Sequence, residues 1–427
     1  MGVNAIVLAL LLSADAPQGS EGGSGALAFR GRLEWITAGA AAVPRDTPVN
    51  PDNRVLLVPR VAASSELRPD LRVEYRKELQ GIVRPRLLVE AQRPYAGGAW
   101  QPERSDARAE WIELYGSWKL DDRLTIAYGL QNFQWGPAEL ASPSNRIFHE
   151  TGFARDPLYV VYGKHLARVN LSFGREWSAV MLAEVRPNSA APFIAGEPFE
   201  PKGQAKVEWS APSGKGYAAV TGGAGGRSRG FFGEYASVSL TDGLSIYADA
   251  VHQMGSPAWY PVDDGAGGAS FAHPATGRGL RTLALGGIRY TFEGGADARL
   301  EYLFDEAGWT NAQLALASRA ASATPTGAPS AQAIAAWVDP GFEILGRQHA
   351  YVSVRIPDLP PGKRVVLQLR YLAALEDGSG TVFVTASYDA TDSVVLFASA
   401  AATYGSDHGA LSRLARATGV AGAVVSW

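Results

Sequence analysis

Leu71-Arg72-Val73-Glu74-Tyr75-Arg76 alternates apolar and charged side chains with a period of two. Leu71, Val73 and Tyr75 therefore share one face of a strand, and Arg72, Glu74 and Arg76 share the other. A short turn over Lys77–Gln80 follows, and Ile82 to Gln92 repeats the pattern. Here Val83, Leu87, Val89 and Ala91 are apolar; Arg84, Arg86, Glu90 and Gln92 form the charged face, and Pro85 interrupts the run. Proline in a central strand removes a ladder hydrogen bond and is unusual. After a long loop over residues 93–107, Arg108 to Leu120, the turn Asp121-Asp122 and Arg123 to Phe133 make a second hairpin.

Outward from these hairpins the same rhythm covers the chain. A first strand runs from Ala26 to Thr37, and a Pro-rich stretch leads on to Leu71. Further short turns fall at Gly174–Glu176, Ala211–Gly216, Thr241–Gly243, Glu293–Gly295, Asp358–Gly362 and Ala390–Asp392. Between them lie longer connections near residues 134–157, 187–202, 255–279, 306–345 and 404–418, with two short ones near 223–228 and 374–380. Short turns and long loops alternate without a break in parity, so the two ends of the strands lie on opposite sides of a divider. A closed antiparallel β-barrel is the β structure that crosses a membrane without exposing unpaired backbone to lipid. The expectation is a single all-β transmembrane barrel over residues 26–427, of about eighteen strands (sixteen to eighteen), with short periplasmic turns and long extracellular loops.

Composition agrees. Hydrophobic residues make up 46% of 427 residues, yet no apolar run of about twenty residues occurs, which excludes a helical membrane protein. The chain has no cysteine, so disulfides and thiolate metal sites are excluded. A net charge of −3 supplies no basic field for nucleic acid. Eleven Trp and sixteen Tyr suit the aromatic girdles of a barrel, several lying near strand ends. Ala5 to Leu12 followed by Ser13-Ala14-Asp15-Ala16 reads as an export signal over residues 1–16, although no Lys or Arg precedes it. Residues 17–25, rich in Gly and Ser, read as a flexible lead-in.

Pattern alone does not say which face is wet, since a soluble sandwich shows the same alternation. The number of strands with one charged face favours a wet lumen. Its candidate lining is Arg72, Glu74, Arg76, Arg84, Arg86, Glu90, Glu113, Arg299, Glu301, Arg355, Arg364 and Arg370. A modest arginine surplus favours anionic solutes, because guanidinium is always charged and binds oxyanions in bidentate fashion. The competing reading is that these arginines simply neutralise Glu residues across strands. The stretch from Phe133-Gln134-Trp135-Gly136-Pro137 to Arg155-Asp156-Pro157 is long, polar and aromatic. It is either a surface loop or a constriction folded into the barrel, in which case Arg146, Glu150, Arg155 and Asp156 set what passes.

Several stretches resemble the large outer-membrane barrels of Gram-negative bacteria, most of all the alginate-export and porin-like families. Tyr128-Gly129-Leu130-Gln131-Asn132-Phe133-Gln134-Trp135-Gly136 looks like their strand that ends in Gly-x-Gln before Trp-Gly. Leu300-Glu301-Tyr302-Leu303-Phe304-Asp305-Glu306-Ala307-Gly308-Trp309 is similar to their Glu-Tyr-led strand and Gly turn. Leu375-Glu376-Asp377-Gly378-Ser379-Gly380, Asp389 and Tyr404-Gly405 are similar to their closing hairpins. The resemblance implies an outer-membrane location, contact with outer-membrane lipid and lipopolysaccharide, and recognition by the barrel-assembly machinery through the last strand ending in Trp427. That strand departs from the pattern, since Val420-Ala421-Gly422-Ala423-Val424-Val425 is small and lacks the upstream Tyr.

Catalysis is not expected, and neither a cofactor nor a metal. The six His residues, 149, 165, 252, 273, 349 and 408, show no pairing at metal-ligand spacing. Ser144, His149 and Asp156 lie close in sequence, but a triad is a matter of geometry. The run Gly222–Gly226 has no Lys-Ser/Thr pair and no following helix, so it is no phosphate loop. The functional expectation is a passive channel for small solutes. Two alternatives stay open: a plugged barrel in polysaccharide export or surface assembly, and a soluble β-rich carbohydrate-binding protein.

Overall fold

A computed structural model describes residues 27–427 except 49, 149–151, 154, 187–198, 200, 226–227, 257, 264, 266–268, 274–278, 323–343, 361, 408 and 413. The export signal, the lead-in, His149, Glu150 and His408 lie outside the described residues. Eighteen strands form the barrel. They are β1 (Leu27–Pro44), β2 (Pro59–Tyr75), β3 (Leu79–Ala96), β4 (Arg104–Lys119), β5 (Leu124–Gln131) and β6 (Lys164–Phe173). Next come β7 (Trp177–Arg186), β8 (Lys202–Ser210), β9 (Gly216–Gly225), β10 (Ser228–Ser239), β11 (Leu244–Met254) and β12 (Leu280–Thr291). The last six are β13 (Asp297–Asp305), β14 (Gln348–Leu359), β15 (Val365–Ala374), β16 (Gly380–Thr391), β17 (Val394–Tyr404) and β18 (Ala415–Ser426).

Every strand pairs antiparallel with its neighbours in sequence, and β1 also pairs with β18, from Glu34↔Ser426 to Pro44↔Ala415. Trp427 completes this seam: its N–H donates to the Leu33 carbonyl at 3.0 Å, and its own carbonyl accepts from Leu33 N–H at 3.1 Å. Closure removes the sheet edges that an open sheet would expose. A two-residue strand, Ala99–Trp100, only extends the tip of β3.

The barrel is inside out relative to a soluble β protein. Trp35, Val73, Val89, Trp111, Trp118, Tyr128, Phe173, Trp177, Val220, Phe232, Leu300 and Tyr302 all point outward and are exposed, while Glu66, Arg86, Glu113, Asp249 and Arg370 are buried inside. At about 1 kcal/mol for each half-exposed large apolar side chain, those outward twelve would forfeit about 12 kcal/mol in water. That equals the whole stability of a typical domain, about 5–15 kcal/mol, so the outer face is built for lipid. Tyr75, Trp118, Phe173, Trp177, Tyr290, Phe292 and Trp427 cluster toward the turn end, and Trp111, Phe232, Tyr302 and Tyr404 lie toward the loop end, as in two girdles. An outward pair of titratable side chains, Glu234 with His252 at 3.2 Å, interrupts the belt.

The strands differ from expectation at their ends. β1 continues to Pro44 and β2 begins at Pro59, because Ala40-Ala41-Ala42 and Ser64-Ser65 carry no readable alternation. Pro69 and Pro85 share one defect. The β2–β3 ladder skips from Leu67↔Leu87 to Leu71↔Val83, so neither proline breaks a pair. Beside Pro85 the β3–β4 register shifts, from Arg84↔Glu113 to Pro85↔Trp111, leaving Ile112 as an extra residue. Such a bulge re-aims side chains, and it lets both Glu110 and Glu113 face the lumen although they are three apart.

The loops also hold elements that the sequence reading missed. A helix, α1 (Asn311–Ser322), and a hairpin, Tyr260–Asp263 with Ala269–Ala272, form a cap at the loop end of the barrel. Phe271, Trp309, Leu314, Ala317 and Ala410 pack together in it. Thr310 and Gln313 form a capping box at the start of α1: the Gln313 N–H donates to Thr310 Oγ1 at 3.3 Å, and Thr310 N–H donates to Gln313 Oε1 at 2.9 Å. In the cap, burial pushes the Tyr260 phenol above its ordinary value; its hydroxyl donates to the Ala307 carbonyl at 2.7 Å.

Candidate functional site: a loop folded into an arginine-rich lumen

The described residues of the 132–163 stretch, between β5 and β6, fold into the barrel and tie to walls on several sides. The carboxylate of Glu301 on β13 accepts the N–H groups of Glu139 and Leu140, each at 2.8 Å, and the Tyr247 hydroxyl at 2.6 Å. Asp249 on β11 accepts Ser144 N–H at 2.8 Å and the Ser142 hydroxyl at 3.0 Å. Gln204 on β8 accepts Arg146 N–H at 3.1 Å, while Gln204 and Thr221 both donate to the Ser144 carbonyl. On the opposite wall Arg68 donates to the carbonyls of Pro157 and Leu158, both at 3.0 Å, and Ser399 to Asp156 at 3.3 Å. Gly136 permits the sharp turn here: φ is +101°, and a Cβ would sit 2.6 Å from the Asp249 carboxylate.

Apolar contacts reinforce the polar ties. Leu140 is buried with Val251, Leu283, Leu303 and Tyr351, and Ile147 and Phe148 pack on Leu166, Val180 and Leu182. The loop is thus wedged by hydrophobic burial and registered by hydrogen bonds that satisfy its buried backbone.

Two of the charge groups that line the lumen differ in kind. On the β2–β4 wall, charges neutralise one another. Arg86 reaches Glu66 at 2.6 Å and Glu110 at 3.1 Å, and Arg68 also pairs with Glu66. Arg84 pairs with Glu113 and with Asp70 at 3.0 Å, and Arg72 holds the same Asp70 at 3.0 Å. Tyr162 from the loop donates to Glu110 at 2.6 Å and accepts from Arg86 at 2.7 Å. On this wall the cross-strand neutralising reading describes the arginines.

The β12–β15 wall is different. Beneath the loop lies a cavity of about 490 Å³ that reaches Thr291 and Gly295 at the turn end. Arg155, Arg289, Arg299, Arg355 and Arg370 line it, against the two carboxylates Glu139 and Asp297. Asp297 takes Arg289, and Arg299 at 3.1 Å. The Glu139 carboxylate takes Arg299 at 3.3 Å and Arg370 at 3.4 Å, with donors from Tyr351, Ser353 and Gln368 at 3.0, 3.3 and 3.3 Å. Arg155 and Arg355 carry no ion pair among the described residues.

The structure sorts the expected residues. Arg72, Glu74, Arg84, Arg86, Glu90, Glu113, Arg299, Arg355 and Arg370 lie on inward faces of their strands. Arg76 does not: it sits in the turn after β2 at φ +53°, its guanidinium 5.0 Å from the Tyr75 ring centroid. Arg364 precedes β15 and donates to the Ala390 carbonyl at the barrel rim. Glu301 is 0% exposed and binds the loop backbone rather than open lumen. Within the loop, Asp156 caps its own turn through Leu158 and Tyr159 N–H, and the Arg155 carbonyl accepts Arg370. Glu139, Arg289 and Tyr351 were missed, because their roles arise only when the loop meets the wall.

A closed barrel with a lipid-facing apolar belt and a charged, loop-filled interior defines a transmembrane β-barrel of the outer-membrane type. Neither a protein-family model nor a curated protein matches the sequence, so the alginate-export resemblance has no family match behind it. Solved structures do match in fold. Wzi of Escherichia coli, an outer membrane protein involved in group 1 capsule assembly and a carbohydrate-binding barrel, is 12% identical with a TM-score of 0.50, covering 92% of this chain and 84% of its own. OccK11 (OpdR) of Pseudomonas aeruginosa is 12% identical with a TM-score of 0.52, covering 93% and 96%. OccAB1 of Acinetobacter baumannii is 10% identical with a TM-score of 0.53, again covering 93% and 96%. The likeness is one of fold.

Proposed function

We propose that the chain resides in the outer membrane as a channel for passive passage of small solutes, with a preference for anions. One observation carries this reading: the cavity beneath the loop has five arginines against two carboxylates. An uncompensated guanidinium cluster in a confined lumen concentrates anions and repels cations. The aligned charges Arg72, Glu74, Arg84, Arg86 and Glu90 then act as the opposite wall, and Arg146, Arg155 and Asp156 belong to the loop that narrows the path. Outer-membrane lipid and lipopolysaccharide surround the belt, and the last strand with Trp427 serves the assembly machinery. Purified protein in a planar bilayer across a potassium chloride gradient tests the reading. The reversal potential should have the sign of chloride preference, and R355E should move it toward potassium; preference for potassium in the unmodified protein would contradict it.

A second reading is a plugged barrel with a surface role. It is favoured by the apolar packing of Leu140 and the cap over the β11–β15 half of the lumen. The likeness in fold to Wzi, itself a carbohydrate binder, is compatible with it. A barrel that inserts but stays silent in the bilayer supports this alternative.

A further inference from the structure

Glu139 belongs to the loop, yet its carboxylate sits in a receptor made wholly by the wall. Arg299 on β13, Tyr351 and Ser353 on β14, and Gln368 and Arg370 on β15 converge on its two oxygens within 3.0–3.4 Å. Two guanidinium groups, two hydroxyls and an amide are the donor set a small free oxyanion would require. The receptor opens onto the 490 Å³ cavity, where Arg155 and Arg355 have no ion pair among the described residues. An anion entering from the turn end therefore meets Arg355, which lies turn-ward of Arg299 and Ser353, before it reaches the occupied site.

We infer that Glu139 is a tethered competitor: it fills an oxyanion site in the barrel wall, and a small carboxylate, sulfate or phosphate takes that site by displacing it. Occupancy of the site and docking of the loop apex are then mutually exclusive. By linkage, the anion and the docked loop weaken each other's hold by the same factor. The loop carboxylate competes at the high effective concentration of a tethered group, so removing it exposes the intrinsic affinity of the receptor. The inference rests on the channel reading only for the route by which the anion arrives.

Sulfate is the probe, because it stays doubly charged across the working range. Its affinity is measured by calorimetry on detergent-solubilised full-length protein, for the unmodified chain, E139Q and E139D, each first shown to be heat-modifiable on a gel. E139Q removes the charge at constant shape. E139D keeps the charge but shortens the reach by one methylene. Competition predicts sulfate binding at least about tenfold tighter in E139Q and intermediate tightening in E139D, as expected for a tethered ligand. In the unmodified protein, sulfate should also speed tryptic cleavage after Arg146 and Arg155, while chloride at equal ionic strength should not. No tightening in either variant overturns the inference, as does tightening in E139Q alone, which signals a general field effect. Calorimetry needs no conduction. Tighter sulfate binding in a silent barrel would therefore keep the inference and discard the channel, and an anion-selective pore with unchanged sulfate affinity would do the reverse.

Discussion

Replacing Glu301 by Ala gives a quantitative test of how the loop is held. Glu301 is 0% exposed and accepts three hydrogen bonds: Glu139 N–H and Leu140 N–H at 2.8 Å, and Tyr247 hydroxyl at 2.6 Å. The phenol can turn to another partner or to water, but the two amides remain buried without an acceptor. Each such group costs about 1–3 kcal/mol, at the upper end when the lost acceptor is charged. The latch therefore weakens by about 3–6 kcal/mol, or about two to four orders of magnitude in the population of the released loop. Leu140 keeps its apolar contacts, so the change is a shift in population and the barrel remains closed. Limited trypsin digestion reads that population, because cleavage tracks the open form when opening is fast. Cleavage after Arg146 and Arg155 should accelerate at least about a hundredfold, while the exposed turn at Arg123 is cut at its old rate. An acceleration below about threefold, or an equal one at Arg123, would refute the claim that Glu301 latches the loop.

Three further outcomes follow from the same contacts. Arg86→Met leaves buried Glu66 with Arg68 alone and takes the cation from Glu110, at a cost of up to about 3–5 kcal/mol, so the temperature at which the folded gel band disappears should fall; an unchanged temperature would remove the network from the account of stability. Deleting Ile112 removes the extra residue of the bulge beside Pro85 and leaves Glu110 and Glu113 two apart, so both still face the lumen of a regular strand. The yield of heat-modifiable barrel should then stay near normal, and a collapse would show that the bulge does more than keep the two carboxylates on one face. Removing Trp427 takes away both hydrogen bonds to Leu33, a net loss of about 1–3 kcal/mol at the seam, visible as an earlier heat transition and a lower assembly yield.

How much of this was readable in the sequence depended on the range of the interaction. Alternation in Leu71–Arg76 and Ile82–Gln92 is a local property of strands, so the barrel, its strand number and the sidedness of its turns were legible. Ala40-Ala41-Ala42 is part of β1 but has no polar partner residues to mark a face, and the strand end was lost there. The cap helix did carry a local signal, Thr310-Asn311-Ala312-Gln313, which matches a capping box and went unread. The lumen charges were legible as a class but not in their division of labour. Arg84 and Arg355 look alike in sequence, yet one is paired with Glu113 and Asp70 and the other has no ion pair among the described residues. Glu139 gave no signal at all, since nothing local says that a loop residue will meet Arg299 and Arg370 across 160 and 231 positions of chain.

The most direct test of the central claim, a closed barrel turned inside out for lipid, is electrophoretic. The chain is expressed with a Gram-negative export signal, the outer-membrane fraction is extracted with detergent, and the protein is run unheated and heated on a denaturing gel. A faster unheated band that converts on boiling to the mobility of the full 45.2 kDa chain is the expected result. Recovery without detergent in the soluble fraction, or a single mobility before and after heating, would contradict it.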